Sequence, residues 1–91
     1  MNKHILLVMK WLKDKDSVSQ EELKKNRDNA NDAANYAADY ADVAVFVAAY
    51  NAAAAAYYAE WAAADAKWVG RYFKHTGEDK QAYINELEKQ Q

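Results

Sequence analysis

Between Val18 and Val69 the chain contains neither glycine nor proline. Few folds are open to a chain of 91 residues with so long an unbroken stretch. Much of the stretch is alanine, the best helix former, and the two residues that most disfavour a helix interior are missing from it. The sequence therefore predicts an all-α protein. It places one long Ala/aromatic-rich helix over 19–75, flanked by short helices at 2–13 and 78–89, in a single domain over 1–91. Over 29–35 the long helix is either continuous but solvated, or kinked. Asn26, Asn29, Asn31 and Asn35, with Asp28 and Asp32 among them, compete for backbone hydrogen bonds and are mediocre in helix interiors.

The large residues give the long helix its logic. Tyr36, Val43, Tyr50 and Tyr57 are seven apart, and Tyr40, Val47, Trp61 and Trp68 each fall four residues after a position of that series. This is a two-position heptad, the pattern of a helix that packs along its length. Ala37, Ala41, Ala44, Ala48, Ala52, Ala55 and Ala59 make a smooth second face. A polar stripe, Asp28, Asp32, Asn35, Asp39 and Asp42, dies out at Phe46. From Val43 to Ala59 the one polar side chain besides the tyrosine hydroxyls is Asn51. A helix that is apolar all round is buried on all sides, and a continuous helix over 20–75 would run roughly 80 Å. Two short flanking helices cannot cover it. Either it joins an oligomeric helical bundle, or it breaks and folds back on itself. The heptad favours the bundle, a homo-oligomer with Tyr36, Tyr40, Val43, Val47, Tyr50, Asn51 and Tyr57 in the shared core. Asn51 would fix register there, as single polar residues in apolar seams do.

Helix ends are marked. Asn2 is placed to cap the first helix. Ser19-Gln20-Glu21-Glu22 reads as a capping box ahead of Leu23, with Ser17 as a competing cap. Gly77 follows a basic turn, Lys74 and His75, as a C-terminal cap does. Gly70 interrupts a still-amphipathic pattern and marks a close helix approach.

The sequence excludes more functions than it indicates. A net charge of −2 leaves no basic footprint for nucleic acid. Without cysteine there is no disulfide and no thiolate nucleophile or metal site. The hydroxyls outside tyrosine are Ser17, Ser19 and Thr76, and the histidines His4 and His75 lie at opposite ends of the chain. Nucleophilic catalysis needs a base beside a nucleophile, so no enzyme, metal or cofactor is expected. Residues 43–64 have the length of a membrane span, but Asn51 and Glu60 lie inside it; spans carry few or no charges. The expected location is the cytoplasm.

One cluster has the makings of a ligand site: Trp61, Lys67, Trp68, Arg71, Tyr72 and His75. Lys67, Arg71 and His75 are four apart on one face, beside the tryptophans. Arginine beside aromatic surface can hold a planar anion such as a nucleotide by pairing and stacking. The simpler reading is core aromatics with a cationic bias at a helix end. The acidic stripe of Asp28, Asp32, Asp39 and Asp42 reads first as a solvated face.

Three stretches give the chain a family texture: Trp11-Leu12-Lys13-Asp14 leading to Ser17-Val18-Ser19; the Ala/Tyr/Asp middle, as in Ala37-Ala38-Asp39-Tyr40-Ala41-Asp42; and Tyr72-Phe73-Lys74-His75-Thr76-Gly77-Glu78-Asp79. In these it resembles a loose group of short, uncharacterised Ala/Tyr/Asp-rich proteins of tailed phages. The resemblance implies an accessory protein in the cytoplasm of the host cell, one that binds a host protein or sequesters a nucleotide-like defence signal. It carries no activity and no site residue.

Overall fold

The computed structural model describes residues 1–60 and 67–90. They form five α-helices and one 3-10 turn: α1 (Lys3–Lys13), the turn Lys15–Ser17, α2 (Gln20–Tyr40), α3 (Val43–Glu60), α4 (Lys67–Thr76) and α5 (Lys80–Lys89). No strand occurs among the described residues.

The expected continuous helix over 19–75 is not there, and it does not yield at the asparagines. α2 runs unbroken through all four of them. The chain bends at Ala41 and Asp42 instead. Ala41 is extended, at φ −116° and ψ 167°, and the Asp42 carboxylate accepts from the Val45 backbone N–H at 3.0 Å. Asp42 thus caps a new helix, satisfying a donor that the first turn leaves unpaired. Of the two alternatives for 29–35 the helix is the continuous one, and Asn26, just before that stretch, is held from outside its helix. Its amide donates to the His4 carbonyl at 3.2 Å and its Oδ1 meets His4 Nδ1 at 3.0 Å. Since the amide N–H₂ is already the donor to the carbonyl, Oδ1 accepts and His4 carries its proton on Nδ1. Bonded in this way, Asn26 has no need of the local backbone groups that would break the helix.

α2 and α3 form an antiparallel hairpin. Gln20, at the start of α2, donates to the carbonyl of Glu60 at the end of α3. Arg27 pairs with the Glu60 carboxylate at 2.9 Å. Alanine meets alanine between the two helices, with Ala30, Ala34 and Ala37 on one and Ala52, Ala55, Ala56 and Ala59 on the other buried. Each alanine contributes only about one methyl of burial, roughly 0.8 kcal/mol. Apart from Leu23 of α2, the larger side chains of the core come from outside the hairpin, among them Ile5, Val8 and Trp11 from α1, Val69 and Tyr72 from α4, Tyr83 and Leu87 from α5. Fully buried, such residues are worth about 1.5–3 kcal/mol each.

The caps read from the sequence are present. The Asn2 side chain accepts from the His4 and Ile5 backbone N–H groups at 2.9 and 3.2 Å. Ser19 and Glu22 form the reciprocal capping box. Gly77 sits at φ 70° and its N–H donates to the Phe73 carbonyl at 2.9 Å, a left-handed cap that glycine reaches without strain. Gly70 departs from expectation. It is exposed in α4, and a Cβ there would meet nothing within 4 Å.

The C-terminal end is tied to the N-terminus by a polar knot. Tyr72 donates to Glu78 Oε2 at 2.8 Å, Tyr83 donates to the other carboxylate oxygen, and the Asn2 backbone N–H donates to the Tyr83 hydroxyl at 2.7 Å. Burial, reinforced by hydrogen bonding, raises both phenols above the ordinary 10.

Candidate binding surface

α1, α4 and α5 gather at one end of the hairpin and leave the other uncovered. No residue from 38 to 50 is buried, although these positions include Tyr40, Val43, Val45, Phe46, Val47 and Tyr50. Of the large apolar side chains exposed among the described residues, Met1 alone lies outside the hairpin. Tyr36, Tyr40 and Val43 expose 67, 76 and 78 % of their surface. Tyr36 and Tyr40 pack ring to ring at 4.9 Å just before the bend. Phe46 and Tyr50 pair at 6.2 Å just after it.

An open groove of about 590 Å³ runs between the two helices. Its floor is Ala34, Ala38, Ala53 and Ala54; Phe46, Tyr50 and Tyr57 wall it on α3, and Asn31 and Asn35 on α2. Asp32 and Asp39 do not line it; helical spacing sets them on the outer face of α2, opposite the buried Ala30, Ala34 and Ala37. Both are exposed, and neither is in an ion pair among the described residues.

The residues expected to form an oligomer core divide. Tyr36, Tyr40, Val43, Tyr50 and Tyr57 are exposed and Val47 is half-buried. Asn51 is buried within the chain, and its amide donates to the carbonyl of Val47 in its own helix at 2.9 Å. Val45, Asn31 and Asn35 were not singled out by the heptad. For the asparagines the signal was their spacing of four alongside the acidic stripe.

The expected ligand cluster is only partly assembled. Trp61 lies outside the described residues. Tyr72 is 1 % exposed and bonded to Glu78, so it presents nothing to a ligand. Trp68 is half-buried, with Tyr58 stacked on it at 5.7 Å and 9° and the Arg71 guanidinium 4.6 Å from its ring centre. Lys67, Arg71 and His75 are exposed. A planar ligand on Trp68 would compete with Tyr58 or Arg71. Tyr58 is the contributor that spacing missed, because it comes from α3 and reaches Trp68 only through the fold. The described residues hold no group of three or more His, Cys, Asp or Glu side chains that could bind a metal. No helix among them is long and apolar enough to cross a membrane.

Comparison with protein-family models, with curated proteins and with solved structures gives no match. The surface must be interpreted from its own chemistry.

Proposed function

We propose that this chain is a non-enzymatic binding protein that acts through the free end of the α2–α3 hairpin, assembling with copies of itself and engaging a host protein. The observation that carries the reading is the concentration of exposed tyrosine and valine on that one element. At 150–250 Å² per aromatic residue, Tyr36, Tyr40 and Tyr50 together expose roughly 300–500 Å² at that end. With Val43 and Val45 added, the area approaches the ~800 Å² per partner of a standard interface. The largest apolar patch on a typical monomer is about 300–600 Å² and is often functional. The resemblance of its texture to short, uncharacterised phage proteins is the reason for looking to a host protein.

Self-association is assigned to the Tyr36–Tyr40 pair and the valines beside the bend. Light scattering across a dilution series tests it. The wild-type chain should exceed one chain mass at high concentration and approach it on dilution, and Tyr36→Ser with Tyr40→Ser should be a monomer throughout. A wild-type monomer at every concentration would end the assembly reading.

Sequestration of a nucleotide-like anion beside Trp68 ranks second. Lys67 and Arg71 supply the charge it needs, but it loses Tyr72 to the core. ATP binding that vanishes in Arg71→Ala, with chain mass unchanged, would reverse this ranking. A purely structural assembly protein would form large or extended particles and bind neither partner.

A further inference from the structure

The hairpin carries two surfaces that differ in charge. The first is the outer face of α2 near the bend. Asp32, Tyr36, Asp39 and Tyr40 stand at i, i+4, i+7 and i+8, positions that share one face of a helix. All four are exposed, and the two rings pack on each other at 4.9 Å. No lysine, arginine or histidine occurs in the sequence between Arg27 and Lys67. The second surface is the groove. Its lining, Phe46, Tyr50, Tyr57 and the two asparagines over an alanine floor, holds no charged residue. Asn31, Asn35 and Ala38 each lie about 100° or more around α2 from Tyr36 and Tyr40. The tyrosine pair and the groove therefore open in different directions, and a chain cannot seat its own pair in its own groove.

We propose that the groove of one chain receives the tyrosine pair of a second copy, so that assembly runs patch to groove. Charge decides against patch to patch. That pairing would set Asp32 and Asp39 of two copies against each other with no basic residue on either face, and like charges across an interface are unfavourable. The uncharged groove imposes no such repulsion. Its asparagine amides have N–H donors for the carboxylates and phenol oxygens that arrive, and its aromatic wall offers ring contacts to the two tyrosines. Its volume of about 590 Å³ lies within the ~300–1,000 Å³ of cavities that enclose whole small ligands, which leaves room for two tyrosine side chains. Groove to groove would avoid the repulsion too, but it leaves the tyrosine pair in water. A patch-to-groove contact joins two different surfaces, so a copy that has lost one still offers the other. This contact rests on the self-association reading above and adds the surface that receives the patch.

Two full-length variants, each keeping one surface, test it by light scattering. Tyr36→Ser with Tyr40→Ser removes the patch and keeps the groove. Ala54→Trp fills the groove floor and keeps the patch. Each alone should hold at one chain mass at concentrations where the wild-type chain exceeds it. An equimolar mixture of the two should reach two chain masses and go no further, because the pair retains no second intact patch or groove. Asn31→Asp with Asn35→Asp changes only exposed groove-wall residues, and so reports even if Ala54→Trp fails to fold. It places carboxylates where those of the patch arrive. It too should stay at one chain mass alone and reach two when mixed with the Tyr36→Ser, Tyr40→Ser variant. Wild-type-like assembly of both groove variants would show patch meeting patch and would overturn the proposal. Assembly of the Tyr36→Ser, Tyr40→Ser variant alone would show groove meeting groove and would also overturn it. So would a mixture that stays at one chain mass. A wild-type monomer at every concentration would remove the self-association reading and this contact with it, whereas a wild-type chain that assembles together with both groove variants would remove this contact alone.

Discussion

The two ends of the α2–α3 hairpin are built from similar residues and have opposite surroundings. At the base, Leu23, Asn26 and Ala30 of α2 and Ala52 to Ala59 of α3 meet Ile5, Val8, Val69 and Tyr72, which are 0 to 2 % exposed. At the tip, a run of valine, phenylalanine and alanine from Val43 to Ala49 contains no buried residue. The base shows how alanine helices become stable here. They contribute little themselves and borrow large side chains from α1, α4 and α5. The tip is the same kind of surface without a lender, and its composition differs from a solvated face only by what is missing around it. Stability is thereby assigned to the base, and the binding proposed above to the tip.

Substitutions can break or sharpen that contrast. The largest effect belongs to the base. Ile5→Ala, at a fully buried position, should cost about 2–5 kcal/mol in denaturant unfolding, the range for core truncations. Val43→Ala at the tip should stay within about 0.5 kcal/mol, as exposed changes usually do. If the two costs were equal, the contrast would be false.

Next is the polar knot. Tyr83→Phe removes a donor from Glu78 and an acceptor from the Asn2 N–H, and should cost about 1–3 kcal/mol. The same knot sets an alkaline limit. Both phenols have folded pKa values raised above 10, chiefly by burial. Below pH 10 they are protonated in both the folded and the unfolded chain, so their contribution is fully present. As pH rises above 10 the unfolded chain releases these protons first, and stability falls. Chemical denaturation at pH 8 to 11 should show this fall in the wild type and a smaller one in Tyr83→Phe.

The bend follows in size. Asp42→Ala removes the cap on Val45 and should cost about 0.5–2 kcal/mol. Smallest, and opposite in sign, is Gly70→Ala. An exposed helical glycine with open space for a Cβ should gain up to about 1 kcal/mol on replacement, read as a rise in thermal midpoint.

The helical class and the caps at Asn2, Ser19 and Gly77 were legible in the sequence. They depend on local propensity and on spacing along one helix. The position of the bend was not read, although Asp42 before an apolar run is a helix-start signal. It was absorbed into the acidic stripe. Asn26 looked like a helix breaker because its partner, His4, is 22 residues away. Tyr72 looked like a ligand residue because its partner Glu78 lies across the Gly77 turn. Asn31 and Asn35 come to line a groove only when α2 folds onto α3, and Tyr58 meets Trp68 only when α4 returns to α3. Contacts made by folding back are what a one-dimensional spacing cannot display.

The central claim is that the tip is uncovered within one chain and covered by another molecule. Amide hydrogen exchange, read peptide by peptide at low and high protein concentration, tests it most directly. Local opening costs least where few apolar contacts surround the backbone. The account predicts that amides over 43–50 exchange much faster than those over 52–59 in the dilute chain, and slow as concentration rises while 52–59 stay unchanged. Protection over 43–50 equal to that over 52–59 at the lowest concentration, with no change on concentrating, would contradict it.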